Sequence, residues 1–437
     1  MKFPGLLAVI LTRLRFPPFP KLRWSFPAAL FEKEALTPPR EQHNQRYLYW
    51  DIAWFGVTSG IALNFLAVYA VRLGATEIEV GALTSAPALI SIFWLIPAAQ
   101  IVARQRHIMK LLLWTLFTHR LGYLLIALLP WGVPISWVVP GLVALSALQA
   151  FPLGLANIGF SAMLPEAISK ERLGRVISVR NALIGATSTL TVLGCGPILA
   201  ALPAPLNYQV LFLIAFLASM ASLYTVAQLD IPPKRRAPSA VQGLADLVEG
   251  FQHFWADRRF VFFTLASFVL HWGIYMAAPL FPVYWVHVLG ASDSFISLIV
   301  TLGNGSSVLG ALAMDRVLRQ WGNRRVVGFS MLGLALIPIL TAMTQTLPPL
   351  LVISLLGGLF AAGLNVCLFN ALIQVAPDAD RERFIAIFSV LANVAVFAAP
   401  LSGSWLAEIV GIAPAFFISG AIRILAGAMF LWHRSAY

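Results

Sequence analysis

Two arginines, Arg120 and Arg423, stand in long apolar stretches of this 437-residue chain, with no acidic residue close to either in sequence. A guanidinium in such surroundings offers five donors and a fixed charge. It either attracts an anionic or carboxylated solute or is satisfied by backbone carbonyls. Uncharged polar side chains recur in similar settings: Asn64, Gln149, Asn157, His271, Tyr275, Asn304, Asn365 and Asn370. Any one such amide reads more readily as hydrogen-bonded glue between helices than as a ligand contact, but their concentration suits a small polar or amphipathic solute. His119 and His271 are the groups in the apolar blocks that titrate near neutrality, each more readily a hydrogen-bonded structural histidine than a relay. No nucleophile–base pair, metal-ligand spacing or Gly-x4-Gly-Lys-Ser/Thr loop accompanies them, so neither enzyme activity, metal, cofactor nor direct ATP use is expected. Cys195 and Cys367 fall in separate apolar blocks and read as packing residues.

The elements that must carry these groups follow from composition. With 59% hydrophobic and 11% charged residues and a mean hydropathy of +0.82, the chain lies outside the range of soluble domains. Its apolar blocks are about twenty residues long, the length of a membrane-spanning helix, and they lack the short alternating segments of a strand barrel. Spans are expected at 48–71, 79–102, 109–129, 136–158, 174–199, 208–228, 260–286, 294–317, 326–345, 349–373, 384–407 and 414–433. The reading is an all-α membrane protein in two six-helix halves, 47–228 and 260–437, joined by a loop at 229–259 with an amphipathic helical pattern through Leu244, Leu247, Val248, Phe251 and Phe254. The first 46 residues form a basic, proline-rich tail, read as an interfacial segment rather than a cleaved signal.

Basic residues test the span list. The tail, the even-numbered loops and the C-terminus collect all Lys and Arg except Arg72, Arg120 and Arg423, with Lys170, Arg172, Arg175 and Arg180 assigned to the fourth loop. Odd-numbered loops such as 130–135, 201–207 and 345–348 carry none. Both termini are therefore expected in the cytoplasm, with the chain in the cell (plasma) membrane. The net charge of +12 is explained by cytoplasmic loops facing anionic lipid, without a nucleic-acid partner.

The halves echo one another. Val68-Tyr69 to Leu73-Gly74-Ala75-Thr76 after the first span returns as Val283-Tyr284 to Leu289-Gly290-Ala291-Ser292 after the seventh. Pro165, Lys170-Glu171-Arg172 and Asn181 return as Pro377, Arg381-Glu382-Arg383 and Asn393. Between the eighth and ninth spans stands Gly310-Ala311-Leu312-Ala313-Met314-Asp315-Arg316, followed by Trp321-Gly322-Asn323-Arg324-Arg325. Here the sequence resembles the major facilitator superfamily, whose cytoplasmic loop motif has a glycine, an Asp-Arg pair and a Gly-Arg-Arg ending. The resemblance implies two six-helix bundles rocking about a midplane cavity lined chiefly by the first, fourth, seventh and tenth helices. It further implies a gating role for Gly310, Asp315, Arg316, Gly322, Arg324 and Arg325, with Asp315 facing the N-terminal end of the fifth helix near Leu173–Arg175 when the cytoplasmic side closes. The first-half counterpart has Ala103 in place of the acid, so the latch looks one-sided.

No acid is expected at mid-membrane; Asp51 sits just inside the first span near the cytoplasmic face, and Glu408 at the outer end of the eleventh. A carboxylate proton relay is thus unsupported, and the coupling ion, if any, is undefined. The functional expectation is a secondary or facilitative carrier, acting as a monomer in the lipid bilayer on a small-molecule solute. A lipid or lysolipid translocase on the same fold and a non-transporting sensor or scaffold are the alternatives. In a background lacking Cys195 and Cys367, single cysteines replacing Lys110 and Arg319 should react with an impermeant maleimide only after cells are opened, and one replacing Gln345 should react on intact cells. The reverse labelling refutes the orientation.

Overall fold

The structure is a computed structural model, and it describes residues 38–105, 107–231, 255, 257–377 and 381–432. Most of the basic tail and of the central loop, including its amphipathic pattern, lies outside the described residues. The first half comprises α1 (Pro39–Arg72), α2 (Glu77–Ala103), α3 (Ile108–Gly132), α4 (Ile135–Ala167), α5 (Lys170–Ala201) and α6 (Leu206–Ala227). The second comprises α7 (Arg258–Ala277), α8 (Asp293–Trp321), α9 (Asn323–Met343), α10 (Pro349–Val375), α11 (Arg381–Val410) and α12 (Ile412–Trp432). Among the described residues there are twelve helical spans long and apolar enough to cross a bilayer and no strands.

The expected spans appear in order but several are short of the helices. α1 has 34 residues, about 51 Å at 1.5 Å per residue, against about 30 Å of hydrocarbon. Its first turns, carrying Arg40, Glu41 and His43, therefore continue the helix beyond the apolar layer, where hydropathy no longer marks it. The seventh span differs in kind. α7 stops at Ala277, and its course continues through a short helix, Leu280–Val283, and a π-helical turn, Tyr284–Val288. Pro279 and Pro282 lack the N–H that an unbroken helix would use.

The repeat read from sequence has a physical basis. Gly74 and Gly290 both adopt positive φ, 89° and 61°, which a side chain would oppose. Each is followed by an N-cap hydroxyl. Thr76 Oγ1 accepts from Glu79 N–H at 3.3 Å, and Ser292 Oγ accepts from Phe295 N–H at 3.3 Å. Packing repeats as well. In the first half α1 packs on α5 and α6, α4 on α2 and α3, and α3 on α6. In the second, α7 packs on α11 and α12, α10 on α8 and α9, and α9 on α12.

Two seams join the halves, α5 against α8 and α2 against α11. Along the first, Gly185 meets Val308, Gly305 meets Thr189, and Gly196 meets Ser297; along the second, Gly81 meets Ser404 and Pro400. Taking the side of the chain termini as near, these contacts run from mid-helix to the far side. The apolar core agrees. A far-side cluster unites Phe65, Tyr69, Leu199 and Phe212 with Val283, Val286, Ala291 and Ile296 of the other half. Near the termini, the Leu48–Leu112–Met163–Val226 cluster stays in the first half, and the Phe260–Val327–Phe384–Phe430 cluster stays in the second. Among the described residues, the contacts identified between the halves lie from mid-helix to the far side.

α8 and α10 cross almost backbone to backbone. A Cβ on Gly358 would lie 2.0 Å from both Gly303 O and Ser306 Oγ, and a backbone oxygen cannot swing away. Gly358→Val should destabilise the protein by about 3 kcal/mol, read as a lower melting temperature in detergent. Gly132→Ala, where a Cβ meets nothing within 4 Å, is the control expected to melt unchanged.

Candidate functional site

The far-side seam is closed by polar groups as well as apolar ones. Arg72, at the last turn of α1, pairs with Asp293, the first residue of α8, through Nη2 to Oδ1 at 2.7 Å and Nε to Oδ1 at 2.8 Å. The same guanidinium donates to Ala291 O at 2.6 Å, and Asn207 Nδ2 donates to Asp293 Oδ2 at 3.4 Å. Ser294 Oγ donates to Gly196 O at 3.0 Å, and Ser297 Oγ donates to Val192 O. Tyr69 and Tyr208 stack beneath, ring centroids 4.9 Å apart. The lock thus joins α1, α5 and α6 to the first turns of α8. Arg72, left unassigned by the charge pattern, is its central cation.

Inside the first half lies a second charged group, and it corrects two expectations. Arg180, assigned to a loop from sequence, is buried ten residues inside α5. Both its terminal nitrogens donate to Asp51 Oδ2 at 3.1 Å, Nη1 also donates to Leu48 O, and its guanidinium lies 4.8 Å over the Phe160 ring. Ser222 Oγ donates to Asp51 Oδ1 at 2.6 Å and accepts from Arg120 Nη2 at 2.8 Å. Arg120 therefore has an acid within its network. The chain Arg180–Asp51–Ser222–Arg120 ties α5, α1, α6 and α3, with Arg120 2% exposed. A carboxylate engaged by a guanidinium and a hydroxyl in a dry bundle is a structural tie rather than a free proton carrier. The signal is present in the sequence, because the expected span 174–199 already encloses Arg180.

Arg423 follows its carbonyl-bonded alternative. Its Nε donates to Gly273 O at 3.1 Å, Nη1 to Leu334 O at 2.8 Å, and Nη2 to Ile274 O at 3.4 Å. The break at Pro279 explains one of these acceptors, since Ala278 N–H donates to Tyr275 O instead of reaching Ile274 O. Neither arginine presents its charge to a solute in this conformation.

The polar candidates are not brought together by mutual hydrogen bonds among the described residues. Asn64 Nδ2 turns back on Gly60 O at 2.8 Å. Gln149 lies over Gly122 of α3, where a Cβ would be 2.3 Å from its Cδ. His271 Nδ1 donates to Ser267 O at 2.7 Å, with Tyr275 stacked on the ring at 6.2 Å and Phe388 of α11 edge-on at 6.3 Å. His119 is buried against Tyr123, Nε2 to hydroxyl 3.2 Å. Asn157 and Asn365 are exposed, and Asn304 and Asn370 half-buried. In the loop motif, Gly310 packs on Ala362 and Leu359 of α10, Gly322 takes φ 76° after α8, and Arg324 Nη2 donates to Leu431 O near the end of α12. Arg316 and Arg325 are exposed. The side chain of Asp315 lies outside the described residues.

Two pseudo-symmetric six-helix bundles joined by a polar lock on the far side have the architecture in which membrane carriers are built. Residues 263–436 match the family model described as Major Facilitator Superfamily. No curated protein sequence matches the chain. Solved structures share the fold over nearly all its length. They include a D-xylose-proton symporter (16% identity, 90% of this chain and 98% of that one, TM-score 0.66). A bacterial homologue of the iron transporter ferroportin in its inward-facing state is similar (16%, 89% and 98%, TM-score 0.68). So is a POT family transporter in complex with 5-aminolevulinic acid (12%, 89% and 95%, TM-score 0.70). At these identities the likeness shows the fold, which is that of Major Facilitator Superfamily transporters, and the family match in sequence covers the second half of the chain, residues 263–436.

Asp51→Asn leaves two buried guanidiniums without a counter-charge and should cost about 3–5 kcal/mol. The double change Asp51→Asn with Arg180→Gln should recover part of that loss, and strict additivity of the melting shifts would refute the tie.

Proposed function

We propose that this chain is a secondary or facilitative carrier that moves a small solute across the plasma membrane by alternating access, working as a monomer. Both termini lie in the cytoplasm, so the near side is cytoplasmic and the conformation described above faces inward. The observation that carries the reading is the unequal closure of the two sides: a far-side lock and shared apolar cluster against two near-side clusters that each stay in one half. A scaffold has no need of a seam that holds at one end and parts at the other. The loop motif at 310–325 belongs to the near-side gate, while Arg72, Asn207 and Asp293 form the far-side one.

The cargo contacts come from the uncharged groups, with Asn157 and Asn365 foremost because they are exposed on the helices that line the cavity in this fold. Arg120 and Arg423 act as structural ties, which argues against a fixed cationic site and for a neutral or amphipathic solute. Asp51 is committed to Arg180 and Ser222, so proton coupling through a central carboxylate receives no support.

Uptake and efflux in expressing cells, screened across sugars, amino acids, organic anions and drugs with and without an uncoupler, test the reading. A transported compound is expected, and Asp293→Asn should change its flux several-fold while the purified protein still elutes as a single species. Wild-type protein that folds, reaches the membrane and moves nothing would turn the reading toward the sensor.

A further inference from the structure

Two helices carry a His-x3-Tyr pair near the middle of their spans, His119–Tyr123 on α3 and His271–Tyr275 on α7. The same sequence pattern has two different geometries. On α3 the pair is closed: both side chains are buried, the rings meet edge to face at 5.3 Å, and His119 Nε2 lies 3.2 Å from the Tyr123 hydroxyl. On α7 the rings lie nearly parallel, 12° and 6.2 Å apart, and make no bond to each other. His271 spends its Nδ1–H on Ser267 O at 2.7 Å, which fixes Nε2 of the neutral ring as an acceptor. Among the described residues neither that Nε2 nor the Tyr275 hydroxyl has a hydrogen-bond partner, and neither atom is enclosed.

The surroundings single out this pair. Thr264 and Ser267 occupy the same face of α7 at helical spacing and are both buried, so the polar face opens only at His271 and Tyr275, which are half-buried. Phe388, edge-on to His271 at 6.3 Å and stacked on Phe263 at 5.6 Å, supplies an apolar wall on the near side. Just beyond Tyr275 the helix stops at Ala277 and resumes as Leu280–Val283 and the π-helical turn. Its counterpart α1 runs unbroken from Pro39 to Arg72. Interrupted helices near mid-depth are where carriers build their solute sites, and the two open polar atoms stand beside this interruption. α7 carries no acid, and Arg423 is spent on the carbonyls of Gly273, Ile274 and Leu334.

We propose that His271 and Tyr275 are the specificity-determining pair of the carrier, and that its solute is a neutral amphipathic compound with a hydrogen-bond donor at one end and a second polar group about 6 Å away, the rise of four helical residues. This rests on the carrier reading above and adds to it the class of solute. The donor, an O–H or N–H, is given to His271 Nε2, which in this tautomer has nothing to donate. The Tyr275 hydroxyl, able to donate or accept, takes the second group. The body between the two lies against the Phe388 wall. A compound lacking the donor leaves Nε2 unpaired and is rejected for that reason. An acid or a base finds no opposite charge on this helix face, which keeps the solute neutral.

The probes are 4-hydroxybenzamide and trans-4-hydroxycyclohexanecarboxamide, each paired with its O-methyl ether, which keeps the body and removes the donor. Binding to the full chain in nanodiscs is titrated by saturation-transfer-difference NMR against empty nanodiscs. At least one hydroxyl compound should bind saturably, with its ether about three- to ten-fold weaker, the range of one net hydrogen bond. His271→Phe should abolish the difference between hydroxyl compound and ether, and His271→Gln, whose amide oxygen accepts, should restore part of it. Tyr275→Phe should weaken both members of a pair alike, and Tyr123→Phe on α3 should change neither. His271→Leu takes the place of His271→Phe if that variant does not elute as a single species, and the comparison within wild type needs no variant. Absence of saturable binding by both hydroxyl compounds, ethers that bind as tightly, or a difference that survives His271→Phe overturns the proposal. If the compounds bind through His271 and no solute is taken up or expelled by expressing cells, the pair stands and the carrier reading fails. If the cells carry a solute whose flux is unchanged in His271→Phe and Tyr275→Phe, the carrier reading stands and the pair fails.

Discussion

A guanidinium enclosed by a membrane bundle must find its acceptors within the protein, and much of this architecture follows from that requirement. Each half contains one arginine, on α3 or on α12, whose hydrogen bonds tie three helices together. In the first, Arg120 on α3 reaches Ser222 on α6 and through it Asp51 on α1. In the second, Arg423 on α12 reaches the carbonyls of α7 and α9. The solutions differ chemically but bind corresponding triplets, α1–α3–α6 and α7–α9–α12. A half tied in this way is braced across three helices, which is what the proposed rocking mechanism needs.

The helix that belongs to both the tie and the seam is α5. Its start is held by Glu41, Arg180 a few turns later is held by Asp51, and from Gly185 onward its small residues face α8. The order along the helix matches the order of tasks from near side to far side. Small residues occur where the halves must approach, because dispersion contact across a seam in lipid depends on how closely the backbones come together.

Much of the fold could be read from the sequence because a bilayer leaves few options for a long apolar block. Span count, order and duplication all follow from hydropathy and from the paired Gly74 and Gly290 turns. Hydropathy is blind to the polar start of α1, which is why the bonds of Asn44 to Ala167 and Asp230 do not emerge from it. The break after Ala277 was marked by Pro279 and Pro282, yet a span of ordinary length hid it. The site was less legible. Arg180 lies inside the span expected at 174–199, but its partner Asp51 is on another helix and the charge pattern drew it to the loop, and the pairing of Arg72 with Asp293 joins residues more than two hundred positions apart. Amides such as Asn64 and Gln149 were visible as polar groups, but their direction depends on helix rotation, which a single sequence does not fix.

The crossing of Gly303 with Gly358 has a mechanical meaning. Where two backbones touch, there is no flexible side chain between them to absorb a push, so the joint is stiff. Val308 on α8 meets Gly185 of the other half, and a few residues away on the same helix Gly303 bears directly on α10. In the proposed rocking motion, force arriving at the seam from α5 would reach α10 with little loss, and that helix would move as part of the lever rather than trail behind it.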